Sequence, residues 1–111
     1  MTTWADEFPG AVTVCDREGI ILYMNSKASQ TFSKWGGADL VGKSLYDCHP
    51  EPARAKLRNL MEKEATNAYT IEKNRVRKLI YQAPWYRDGV CQGLAELSLE
   101  IPPDMPHFVR E

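Results

Sequence analysis

Residues Val90 to Ile101 read VCQGLAELSLEI, with Ala95, Leu97, Leu99 and Ile101 on one parity and Leu94, Glu96, Ser98 and Glu100 on the other. Successive side chains of a strand point to opposite faces, so this period of two sets an apolar face against a wetter one. That is the mark of an antiparallel sheet covered on one side. The Ala95 row is expected to face the core and the Leu94 row to form a mixed outer surface. Two further strands precede it. Asn67 to Lys73 alternates Tyr69 and Ile71 against Thr70 and Glu72, Asn74-Arg75 makes a turn, and Val76 to Tyr86 follows. Arg87-Asp88-Gly89 is a second hairpin signal. Pro84 has no N–H to give to the ladder, so a bulge or irregular pairing is expected there.

The first third supplies the rest of the sheet. Ala11 to Cys15 and Ile20 to Met24 flank a polar stretch, Asp16-Arg17-Glu18-Gly19, and read as a hairpin. Asn25 can cap a helix whose apolar stripe is Ala28, Phe32 and Trp35, ended by Gly36-Gly37. Ser44 and Asp47 form a weak capping box over Leu45 and Tyr46. His49-Pro50-Glu51-Pro52 interrupts again, and Ala53, Leu57, Leu60 and Met61 repeat at helical spacing in the longest helix, Pro52 to Ala65. The order is β-β-α-α-α-α-β-β-β. It predicts an α+β domain, a five-stranded antiparallel sheet with a block of helices covering one face. Residues 1–10 form an N-terminal flanking segment, 11–101 the domain, and 102–111 a proline-rich tail.

Composition removes whole classes of function. The chain has 111 residues, room for one domain of the usual 100–150 or so. The 43% apolar and 26% charged content fits neither a disordered chain nor a membrane protein. The longest apolar run, Gly19 to Met24, is far short of the roughly 20 residues of a membrane span, and no secretory signal opens the sequence. Lys and Arg total 14 against 15 acidic residues, a net charge of −1, which disfavours nucleic acid as a partner. Cys15, Cys48 and Cys91 are odd in number and widely spaced, without a C-x-x-C pair. They fit the reducing cytoplasm and argue against a zinc ribbon. The chain is expected to be either a stand-alone protein, which an opening Met1 suits, or a fragment of a larger signalling protein, and its 111 residues hold no kinase, cyclase or DNA-binding helix pair beside the domain.

The segment CDREGIILYMN, with Asp16, Gly19, Ile21, Tyr23 and Asn25, resembles the D-x-x-G-x-I-x-Y-x-N stretch of PAS domains. Ala28 and Phe32 sit where that family's first helix packs on its sheet. Leu40 to Ser44 (LVGKS) resembles its I-G-K-S step, and Asp88 to Gly93 (DGVCQG) its last hairpin. The match covers about Ala11 to Ile101. The resemblance implies a sensory or interaction module. Such a module binds a small molecule or cofactor between sheet and helices, pairs with another copy or another signalling protein, and relays occupancy to a partner.

Residue by residue, the candidate pocket comprises Leu45, Tyr46, His49, Leu57, Leu60, Ile80, Tyr81 and Trp85. Tyr81 and Trp85 share a strand face with Leu79 and Ala83, where they would line the pocket or serve as core or dimer contacts. Light-oxygen-voltage members carry a reactive Cys where this chain has Leu45, so flavin photochemistry is not expected. Haem would need His49, the sole positional candidate as an iron ligand, with Leu45, Leu57, Leu60 and Ile80 as dry walls and Arg54 on a propionate. The structural alternative is that His49 orients the start of a proline-broken helix. Cys48 beside His49 makes no dyad, since neighbours on a helical turn diverge, and no oxyanion motif accompanies them. The chain is therefore expected to be a non-enzymatic module whose function is ligand sensing. The alternative expectation is a ligand-free weak homodimer formed through the outer sheet face, with Trp4 and Phe8 packing on the partner.

Overall fold

The first and last strands of the sheet, β1 (Ala11–Asp16) and β5 (Val90–Ile101), lie side by side at its centre, with Ala11 opposite Ser98 and Cys15 opposite Leu94. The computed structural model describes residues 3–111, except for the side chain of Cys48, so the expectation placed on that thiol lies outside the described residues. With β2 (Ile21–Met24), β3 (Asn67–Lys73) and β4 (Val76–Arg87), the order across the antiparallel sheet is β2-β1-β5-β4-β3. Helix α1 (Ser26–Thr31), three 3₁₀ turns and helix α2 (Ala53–Lys63) roof one face. The expected fold class is present.

Local chemistry explains the punctuation. The two residues Asn74 and Arg75 both take positive φ, 53° and 66°, as do Asp88 and Gly89 at 53° and 79°. Paired positive φ values match the twist of antiparallel strands, so each pair closes a tight hairpin. Pro84 sits opposite Leu94 within the ladder, and the irregularity falls just beyond it, between Trp85 and Tyr86. The β3 partner of β4 ends at Asn67 opposite Gln82, so past that point β4 is an edge and the missing N–H deprives nothing.

Asn25 caps α1 as its sequence position predicts, and it does more. It is 2% exposed. Its Oδ1 accepts from the N–H groups of Ala28 and Val12, both at 3.0 Å, while Nδ2 donates to the carbonyls of Ala5 and Gly10, both at 2.8 Å. One amide therefore ties the flanking segment, β1 and α1 together. The hydroxyl of Tyr23 donates to the Asp6 carboxylate, a second tie between flank and sheet. The stripe Ala28-Phe32-Trp35 is only partly buried: Ala28 is enclosed, Phe32 half-buried and Trp35 exposed. The helix tightens into a 3₁₀ turn at Ser33, and that change of period rotates Trp35 off the stripe.

Which face carries the helices departs from expectation. The core cluster is Cys15, Leu57, Met61 and Leu94, with Leu45 and Tyr46 packed on it. Leu94 thus belongs to the inner face, and parity carries Glu96 and Ser98 there too. The row Ala95, Leu97, Leu99 and Ile101 lies on the outer face, half-buried. Alternation separates two faces but does not say which one the helices roof. A polar row tolerates the inner side when its groups find partners, as the Glu96 carboxylate does in Gln82.

Candidate functional site

The segment between the second and third 3₁₀ turns is placed by main-chain bonds. Residues 42–45 run along β2: Gly42 N–H donates to the Ile21 carbonyl at 2.8 Å, Ile21 N–H to Lys43 at 2.9 Å, and Leu45 N–H to Gly19 at 2.7 Å. A Cβ on Gly19, whose φ is +84°, would fall 2.6 Å from the Tyr46 ring, so glycine lets that ring close over the hairpin. Arg58 lies 5.1 Å above the same ring. Burial, the larger effect, holds the Tyr46 hydroxyl above its ordinary 10.0.

His49 follows. One ring nitrogen, Nδ1, is 2.8 Å from the Leu45 carbonyl. A carbonyl only accepts, so Nδ1 carries the proton and Nε2 of the neutral ring is left as an acceptor. Arg54 holds the same loop, its Nε donating to the His49 carbonyl at 3.1 Å.

Between sheet and helices lie two recesses. The smaller, about 90 Å³, is walled mainly by Cys15, Ile21, Met24, Leu40, Leu45 and Leu94. The larger, about 430 Å³, lies between α2 (Ala53, Lys56, Leu57) and the inner positions of β3, β4 and β5. Phe32, His49 and Glu96 line both. The volume of the larger falls within the roughly 300–1,000 Å³ of small-molecule sites.

A chain of side-chain hydrogen bonds crosses the floor. Asn67 Nδ2 donates to Gln82 Oε1 at 2.9 Å, and Gln82 Nε2 donates to Glu96 Oε2 at 2.8 Å. Gln82 is buried at 6% exposure, and strand register dictates the line, since Asn67 faces Gln82 and Gln82 faces Glu96. The Tyr69 hydroxyl is held above its ordinary 10.0, first by burial and then by the Glu96 charge. Burial likewise pushes the Cys15 thiol up from 9.0, the Leu94 backbone opposing it and Asp16 and Glu96 adding to it.

The sequence-derived candidates divide. Leu45 and His49 line the smaller recess, and His49, Leu57 and Ile80 line the larger. Tyr46 packs on the core beside them, and Leu60 is buried under α2 without lining either cavity. The structure does not bring Tyr81 and Trp85 to this site. Tyr81 lies opposite Leu97 on the outer face and is 41% exposed, while Trp85 donates its indole N–H to the Cys15 carbonyl at 3.0 Å. Their parity with Leu79 and Ala83 was legible, but that row faces away from the helices. Sequence reasoning missed Phe32, Asn67, Tyr69, Gln82 and Glu96. Leu94, the one apolar member of an otherwise polar row, was the available signal that this row turns inward.

The residues also decide the fit of a haem. His49 keeps a free Nε2, as an iron ligand requires. A porphyrin face calls for apolar walls, however, and the floor carries Asn67, Gln82 and the Glu96 carboxylate. The set does not fit haem. Among the described residues no cluster of His, Cys, Asp and Glu could hold a metal ion, and no helix is long and apolar enough to cross a membrane.

A family model described as the PAS fold matches residues 5–101. The structure is similar to a C-terminal domain from Streptococcus mutans at TM-score 0.72 and 20% identity, covering 89% of this chain and 81% of that one. It is similar to the Aer2 receptor of Vibrio cholerae, a dual PAS-heme oxygen sensor, at TM-score 0.58 and 22% identity, covering 84% and 95%. The PAS domain of the histidine kinase ThkA aligns at TM-score 0.65 and 17% identity, covering 81% and 97%. No curated protein matches the chain in sequence.

Proposed function

The chain belongs to the PAS fold family, and from that premise we propose that it is a non-enzymatic sensory module that holds a small molecule between sheet and helices and relays occupancy to a signalling partner in the cytoplasm. The observation that supports this is the recess of about 430 Å³ with an ordered polar floor at its base. Its walls join the elements that relay needs. Phe32, just past α1, lines both recesses, and α1 is tied through Asn25 to the flanking segment. Relay requires a coupling free energy of only about 1–3 kcal/mol between occupancy and a partner surface. Protein refolded free of ligand and screened against cell metabolites and flavins should gain thermal stability with at least one of them. A flat response across the set would remove the sensing role.

A second function is favoured by the outer face. Leu97, Leu99, Leu79 and Trp85 are half-buried there and Tyr81 is 41% exposed, an apolar row that the helices leave uncovered. Trp4 and Phe8 stack edge to face at 5.6 Å beside it, with Phe8 and Leu99 both against Gly10. Such a surface suits a weak homodimer or a second signalling protein. Sedimentation across micromolar concentrations reads this directly, and strictly monomeric behaviour would count against it.

A further inference from the structure

We propose that the larger recess selects an amphoteric ligand, a ring-sized molecule with a nitrogen donor at its inner end and an acidic group at its outer end. This rests on the sensory function proposed above and names the class of ligand. The inner end is the wall that both recesses share, and its polar atoms accept. Glu96 gives one oxygen, Oε2, to Gln82, and Oε1 takes no hydrogen bond among the described residues. His49 holds its proton toward the Leu45 carbonyl, which leaves Nε2 as an acceptor on the same wall. Two acceptors without a donor between them call for N–H groups, and a protonated nitrogen beside a carboxylate makes the stronger, charge-assisted bond.

The outer end has the opposite character. Lys78 and Gln82 occupy the same face of β4 four residues apart, roughly 13 Å along a strand. Lys78 lines the recess at that end, and Lys56 of α2 also lines it. Glu100 faces Lys78 across the ladder, yet no ion pair joins them among the described residues, so the ammonium remains available to an incoming anion. Leu57 and Ile80 form the apolar middle, one from the roof and one from the floor. Acceptors, a dry middle and ammonium groups thus follow in sequence along one recess.

The test uses 4-(aminomethyl)benzoate as probe, with benzylamine, benzoate and neutral benzyl alcohol as controls, followed by amide chemical shifts of the whole chain. The zwitterion should shift the amides of Phe32, His49, Gln82 and Glu96 saturably, and each single-charge control should bind several-fold more weakly. In Glu96→Gln the new amide oxygen can still accept from Gln82, so the floor persists while the charge is gone. That variant should bind the zwitterion about tenfold more weakly, the size of one charge-assisted contact. Lys78→Met keeps the apolar stem and should cost several-fold. Equal affinity of all four probes for the parent protein would overturn the inference and leave the pocket intact. No inner-face shift with any of the four probes would overturn the inference, while the metabolite screen described above decides the sensory function separately. Should Glu96→Gln fail to fold, the ranking of the four probes on the parent protein decides alone.

Discussion

The indole N–H of Trp85 donates to the carbonyl of Cys15, 70 positions earlier, while Gly93 stands opposite Trp85 on one side and Asp16 on the other. The ladder between β1 and β2 shifts register at Val14/Cys15, next to this contact. Gly93 has φ +152°, and a Cβ there would lie 2.0 Å from that same carbonyl oxygen. The indole and the bare glycine together let three strands close at an irregular point.

Trp85→Phe keeps the ring and removes the donor. It should destabilise the fold by about 1–2 kcal/mol, the usual cost of leaving one buried carbonyl short of a partner. Urea unfolding followed by circular dichroism checks this. No loss of stability would mean that water or another group takes over the carbonyl.

Asn25→Ala removes four hydrogen bonds of 2.8–3.0 Å, and a longer one to the Phe8 carbonyl, from a site that is 2% exposed. A loss of about 2–4 kcal/mol is expected, at the upper end for a polar substitution. Asn25→Asp should also destabilise, because a carboxylate would face the carbonyls of Ala5 and Gly10. Equal stability of Asn25→Asp and the parent would show that the two donor contacts contribute nothing.

Alkaline pH should weaken the fold through Cys15. Burial raises the thiol above 9.0, so the native chain keeps its proton where the unfolded chain releases it. The stabilisation is complete below pH 9.0 and is lost as pH climbs from there toward the folded value. Between pH 9.0 and 10.0, ahead of the ordinary tyrosine range, melting temperature should fall less steeply in Cys15→Ser. Parallel slopes for the two proteins would contradict this assignment.

Tyr81→Glu places a charge on the outer face at a position 41% exposed. It should leave the melting temperature nearly unchanged and shift sedimentation toward the monomer. A variant that self-associates like the parent would show that this face is not the contact.

Strand pairing and punctuation were readable because they depend on local chemistry. Asp88-Gly89 announces a turn, Asn25 a cap, and Val90 to Ile101 a strand whatever surrounds them. The side on which helices settle is a tertiary fact, decided by Cys15, Leu57 and Leu94 meeting from three elements. That is why His49, Leu57 and Ile80 were found and Glu96 was taken for surface. A carboxylate reads as exposed until its partner is known, and Gln82 is 14 positions away on another strand. The place of Trp85 is hidden for the same reason, its partner Cys15 lying even farther off in the chain.

The pairing of Ala11 with Ser98 has a mechanical side. Because β1 and β5 are antiparallel, the chain enters the sheet and leaves it at the same end of the same ladder. Tension applied between residues 10 and 102 therefore opens that ladder like a zipper, one bond after another from the Ala11 end. It does not load every bond at once, as it would if the two strands were pulled from opposite ends.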